Sequence, residues 1–188
     1  ITDDSGQKIT TVEVEVNGNQ EQYTADTFIV SCGSINSAAL LLRSKNEHHP
    51  DGLGNSSGML GRNLMLHNHS SVVAIAEKPN PVKFQKTLGF NDFYFGSPDH
   101  DYPLGQIQMT GKSKWNRLAL FAPGSIPQPT LEYMADHAVD WWLTSEDLPD
   151  PNNRVTVTEE GKIKVDFTRN NLKAHEDFVD MWQSYLRK

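Results

Sequence analysis

Three stretches of this chain hold groups suited to ligand chemistry. The first is Ser31-Cys32-Gly33-Ser34, which joins a short apolar run, Phe28-Ile29-Val30, to Ile35, Ala38, Ala39, Leu41 and Leu42 at helical spacing. Small residues at the mouth of a helix leave backbone N–H groups open to a nucleotide or another anion, and Ser34 is the expected N-cap. A plain strand-to-helix turn is the competing explanation. The second stretch is His67-Asn68-His69. If extended, it points both imidazoles to one face, as a two-histidine metal pair would. No Cys or carboxylate stands at a spacing that completes the set, so no metal ligand is assigned. The third is the alternation of Gln106 and Gln108 with Ile107 and Met109. One strand face then carries amides, whose donors and acceptors match sugar hydroxyls, although solvent-facing glutamines would give the same pattern.

The elements that must position these groups are legible in outline. Residues 8–16 alternate Thr11, Glu13 and Glu15 with Val12, Val14 and Val16, which predicts a half-buried antiparallel strand. Asn17-Gly18 predicts a tight hairpin turn, with the return strand at 20–24. The run 28–30 reads as a buried strand, 45–57 as a polar loop with solvated His48 and His49, and 72–76 as a strand broken by Pro79 and Pro81. The aromatics of 84–95 suit either a sugar platform or, the reading preferred here, core filling. A helix is expected over 130–138 and a strand from Trp141. A second hairpin is expected about Glu159-Glu160-Gly161, with Ile163, Val165 and Phe167 on its return. A final helix over 171–187 places Leu172, His175, Val179, Trp182 and Leu186 near one stripe, with His175 a packing residue.

Composition sets outer bounds. With 188 residues the chain can bury a core of one domain or slightly more. A net charge of −7 argues against a nucleic-acid backbone as partner. No apolar run approaches a membrane span, and no signal peptide is visible, so the chain reads as soluble. Cys32 has no cysteine to pair with and reads as a small buried filler. The chain opens at Ile1, not Met, and directly on a hairpin, which is expected either of a chain whose N-terminal part has been removed or of one piece of a longer polypeptide.

After the polar loop comes Gly61-Arg62-Asn63-Leu64-Met65-Leu66-His67. Together with the small-residue turn and the helix ending Leu40-Leu41-Leu42-Arg43-Ser44, it resembles the second signature of the glucose–methanol–choline (GMC) flavin oxidoreductases. The likeness is greatest to the sugar-oxidising branch, the glucoside 3-dehydrogenases and pyranose oxidases. Leu66 stands where choline-type members carry Asp. The segment 151–157, with Asn153-Arg154-Val155, is similar to a segment of the family's substrate domain, and Arg154 is expected to anchor its turn.

The resemblance implies an α+β chain in two parts. Residues 1–61 would be a partial edge of an FAD-binding α/β domain. Residues 62–188 would be a substrate-binding domain with a six-stranded antiparallel sheet and helices behind it. It implies FAD in the intact enzyme, held in part by Ser31, Cys32, Gly33 and Ser34 near the adenosine end. It also implies a sugar or related alcohol substrate touching Gln106 and, less clearly, Gln108, with hydride passing to the flavin. His67 would be a structural hinge residue. Expected partners are the remaining segments of the parent polypeptide and an electron-acceptor protein, in a bacterial-type cytoplasm or periplasm. The family's Gly-x-Gly-x-x-Gly turn is absent from these residues, and its catalytic His lies in a segment beyond them, so no catalytic residue is assigned. The isolated chain is expected to be inactive. Two other classes remain open: a non-catalytic carbohydrate-binding or scaffold module, and a metal-dependent hydrolase at His67 and His69.

Overall fold

The computed structural model describes residues 1–187. Among the described residues four helices and three antiparallel sheets make an α+β fold, as expected. By compactness the chain divides into two units. One comprises Ile1–Met65 and Pro149–Thr168; the other comprises Leu66–Leu148 and the segment from Arg169. The hairpin at 149–168 therefore packs with the first unit, although it was expected with the second.

In the first unit, β1 (Thr11–Val16) and β2 (Asn19–Thr24) form the predicted hairpin, with Asn17 and Gly18 both at positive φ as a tight turn requires. Helix α1 (Gly33–Arg43) follows, and its buried face is narrow, only Ala38 and Ala39. These meet Leu64 and Val155, flanked by Leu60, Val157 and Phe167. Val155 belongs to β7 (Arg154–Val157), paired with β8 (Ile163–Asp166).

Polar groups fix this small core. Asn153, buried, donates to Thr168 O (2.9 Å) and accepts from Thr168 N (2.7 Å), while its own carbonyl accepts from Leu64 N (2.9 Å). Gly61 has φ 78°, and its carbonyl accepts from Val155 N at 2.8 Å. A Cβ there would collide with the Val155 carbonyl oxygen, so the glycine is required twice over. Arg62, and not Arg154, supplies the side-chain anchor, donating to Gly58 O (2.9 Å) and Pro151 O (3.2 Å). Arg154 joins through a backbone bridge to Arg62.

Three expectations in this unit are corrected. Residues 28–30 form no strand, and Ile29 is 85% exposed, because no described strand pairs with them. Ser34 is not the N-cap: the cap position is Cys32, with no side-chain cap bond, and Ser34 lies inside the helix. Cys32 is exposed, not buried, since the turn stands clear of the narrow Ala38–Ala39 contact.

The second unit is built on a four-stranded sheet, where six strands were expected. Its order is β3 (His67–Ile75), β6 (Ala138–Glu146), β5 (Gln106–Met109) and β4 (Gly89–Phe90), all antiparallel. One face is covered by α4 (Leu172–Leu186). Phe178 and Trp182 pack on Val72, Leu104, Ile107, Trp141 and Leu143. Phe90 joins them, its ring 5.4 Å from Trp182 and 5.9 Å from Trp141, so part of the aromatic stretch does fill core. Phe84 and Phe95 of the same stretch are exposed. His175 is a satisfied packing residue, with Nε2 bonded to Ser70 Oγ and Nδ1 to Ser145 Oγ, both at 2.8 Å. The short α2 (Trp115–Ala119) packs with α3 (Gln128–His137), which leads directly into β6. No described helix is long and apolar enough to cross a membrane.

Candidate functional site

The expected site residues fall in two places, one in each unit. Ser31, Cys32, Gly33 and Ser34 lie at the N-terminus of α1 and are all exposed. Gly33 has φ 79°, and a Cβ built there meets nothing within 4 Å. The Cys32 N–H is taken by Ser37 Oγ at 3.0 Å, and no acidic side chain occupies the first helical turn. What remains is an accessible helix N-terminus with unsatisfied donors and no local negative charge, which suits a phosphate or a ribose hydroxyl. Nearby, Phe28, Val30, Leu40 and Leu41 line a cavity of about 570 Å³ beneath the hairpin.

In the second unit Gln106 and Gln108 sit on the sheet face opposite α4. Register creates two rows across three strands. His69, Thr144 and Gln106 form one; Ser71, Trp142 and Gln108 form the other. Adjacent strands stand about 4.8 Å apart, so the side chains of each row lie side by side across the sheet. His69 Nδ1 is bonded to Thr144 Oγ1 at 3.2 Å, and its ring lies 5.0 Å from that of Trp142. Partial desolvation, with the charges of His67 and Arg169 nearby, holds His69 below the usual imidazole range. An imidazole, a threonine hydroxyl, two primary amides and an indole face bring hydrogen-bond donors, acceptors and an aromatic surface together on this face.

His67 and His69 do share one face, their rings 5.7 Å apart. Among the described residues no group of three or more His, Cys, Asp or Glu is arranged to hold a metal ion. Thr144 and Trp142 were not singled out from the sequence, and His69 only as half of a possible metal pair. The alternation Trp142, Thr144, Glu146 against Trp141, Leu143, Ser145 carried a signal for β6, but which strand lies beside β6 is a long-range fact.

Residues 1–69 match a family model described as GMC oxidoreductase. The chain is 30% identical to paromamine 6'-oxidase of Streptomyces fradiae over 87% of its own length and 31% of that protein's. It is 28% identical to the fructose dehydrogenase large subunit of Gluconobacter japonicus, over 75% and 27% respectively. It is 42% identical to 2-methyl-1,2-propanediol dehydrogenase of Mycolicibacterium austroafricanum, over 86% and 32%. The chain thus spans about a third of the length of these curated relatives. The matched segment contains the exposed glycine turn, α1 and the Gly61 to His67 motif, and with these matches it identifies the chain as a member of the GMC oxidoreductase family, which is in general flavin-dependent.

Proposed function

We propose that this chain is the central part of an FAD-dependent oxidoreductase that oxidises a hydroxyl of a sugar or related alcohol. One observation carries the proposal: the uncovered face of β3, β6 and β5 lines up His69, Thr144, Gln106, Ser71, Trp142 and Gln108 in two polar rows. Names among the relatives, an oxidase of paromamine and dehydrogenases of fructose and of a propanediol, agree with a hydroxyl-bearing substrate.

In this reading residues 1–61, with the hairpin at 149–168, form the edge of the FAD-binding domain, and the sheet unit binds substrate. Ser31, Cys32, Gly33 and Ser34 approach the adenosine end of the cofactor, where the helix N-terminus and its free N–H groups favour anionic and hydroxyl oxygens. When bound, the flavin supplies the hydride acceptor. Gln106 donates to and accepts from a substrate hydroxyl, Gln108 extends the same row, and Trp142 covers an apolar ring face. His69, held neutral by its surroundings, accepts a hydroxyl proton in a hydrogen bond without carrying charge into the site. No residue here is given the role of catalytic base. Further segments of the parent polypeptide, and an electron acceptor, complete the enzyme.

The test is direct. The 188-residue chain, expressed alone and mixed with FAD, is expected to emerge from desalting colourless and without dehydrogenase activity. A stoichiometrically yellow, active preparation would contradict the division of labour proposed here.

A further inference from the structure

At the Glu146 end of β6, wholly within the second unit, lies a cavity of about 390 Å³ whose walls include Tyr94, Phe95, Tyr102, Glu146, Asp147 and Asn171. That volume accommodates one sugar-sized ring. Tyr94 and Phe95 meet edge to face at 5.1 Å, and Phe95 is 87% exposed. Tyr102 is fixed by donating its hydroxyl to Asp177 Oδ2 at 2.5 Å.

The two carboxylates on the wall differ in availability. Asp147 is buried and committed, accepting from Leu66 N (2.9 Å) and from the Asn68 amide (3.2 Å). Glu146 is exposed, and among the described residues its carboxylate accepts only from Tyr94 Oη, at 2.9 Å. Its second oxygen is free to take a further donor. No Lys, Arg or His lines the cavity. Negative charge framed by aromatic rings, with no Lys or Arg on the cavity wall, favours a positively charged group through charge-assisted hydrogen bonding and the ring quadrupoles.

Glu146 also stands on the same sheet face as Thr144, two residues along β6, and pairs in register with His67. Glu146 thus belongs both to the cavity wall and to the sheet face that carries the two rows. We infer that it is a subsite for the ammonium group of an amino-substituted polyol, an inference that rests on reading the open sheet face as the polyol site. The face reads hydroxyls; the cavity reads the charge.

The experiment titrates the purified chain with D-glucosamine, N-acetyl-D-glucosamine and D-glucose at neutral pH and low salt, following backbone amide shifts. Glucosamine is expected to bind about tenfold more tightly than either neutral sugar, the effect of one charge-assisted hydrogen bond. It should shift the amides of Gly105, Leu148 and Asn171. Glu146→Gln, at an exposed side chain, is expected to keep the thermal midpoint and abolish the preference. Equal binding of all three sugars, no binding at all, or a preference that survives Glu146→Gln would each overturn the inference. No flavin is involved, so failure here leaves the redox proposal to its own tests.

Discussion

In the second unit, α4 lays Phe178 and Trp182 into a sheet face of Val72, Ile107, Trp141 and Leu143, and large side chains close the contact. In the first, α1 meets Val155 through two alanines while Ile35, Leu40 and Ile29 stay at the surface. The second unit is held mainly by buried apolar area, although Phe84, Phe95 and Phe121 stay exposed on it. The first is held by position: a glycine that no other residue can replace, an asparagine that pins two backbones, and an arginine that clamps two carbonyls. An element fixed by geometry around a thin core, with apolar side chains left outside it, is built to be covered. That contrast supports the proposal that the first unit is one edge of a larger cofactor domain.

The largest effect expected is in the thick core. Phe178→Ala removes a side chain with 0% exposure, and about 3–5 kcal/mol of stability should go with it. Urea unfolding monitored by tryptophan fluorescence reads this, since Trp141 and Trp182 lie in that cluster. Amide exchange at Val155 should change far less. If both units soften equally, the contrast between them is wrong.

Gly61→Ala is the corresponding break in the thin core. It forces a Cβ against the Val155 carbonyl in a left-handed backbone, at a cost of roughly 1–3 kcal/mol. Exchange of the Val155 amide, bonded to Gly61 O, should accelerate first. Retained protection there would show that the glycine is not what holds α1 to the hairpin.

A gentler change sharpens the comparison through pH. Desolvation, with Arg169 and His69 nearby, holds His175 below its ordinary value of 6.5. The unfolded chain therefore takes up a proton that the folded chain resists, so the stability due to this group is full above pH 6.5 and declines as pH falls below it. Amide exchange in α4 should quicken between about pH 7.5 and about pH 5.5 more than exchange in β7. His175→Gln should flatten the difference.

The legible parts of the fold were those written in short-range pattern. Asn17-Gly18 gave its turn, alternation gave β5, and helical spacing gave α1 and α4 to within a residue or two, while the strand expected from Trp141 in fact begins at Ala138. The stripe assigned to α4 missed Phe178, its most buried side chain, because Leu172 and Leu186 made a plausible stripe one position away. The strand at 28–30 failed for a different reason. A β-branched run predicts a willingness to pair, and pairing needs a neighbour that the sequence does not locate. The same limit governed the candidate site. Gln106 and Gln108 were visible as an amide face, but His69, Thr144 and Trp142 became their neighbours only through pairing between residues 34 or more apart in the chain.

The central claim is that this amide row touches substrate, and Gln106→Ala in the flavin-loaded parent polypeptide tests it most directly. Anaerobic reduction of the flavin should need on the order of fivefold more sugar or alcohol for half-saturation, the loss of one hydrogen bond, with flavin content unchanged. An unaltered concentration dependence across a panel of sugars and short diols would contradict it.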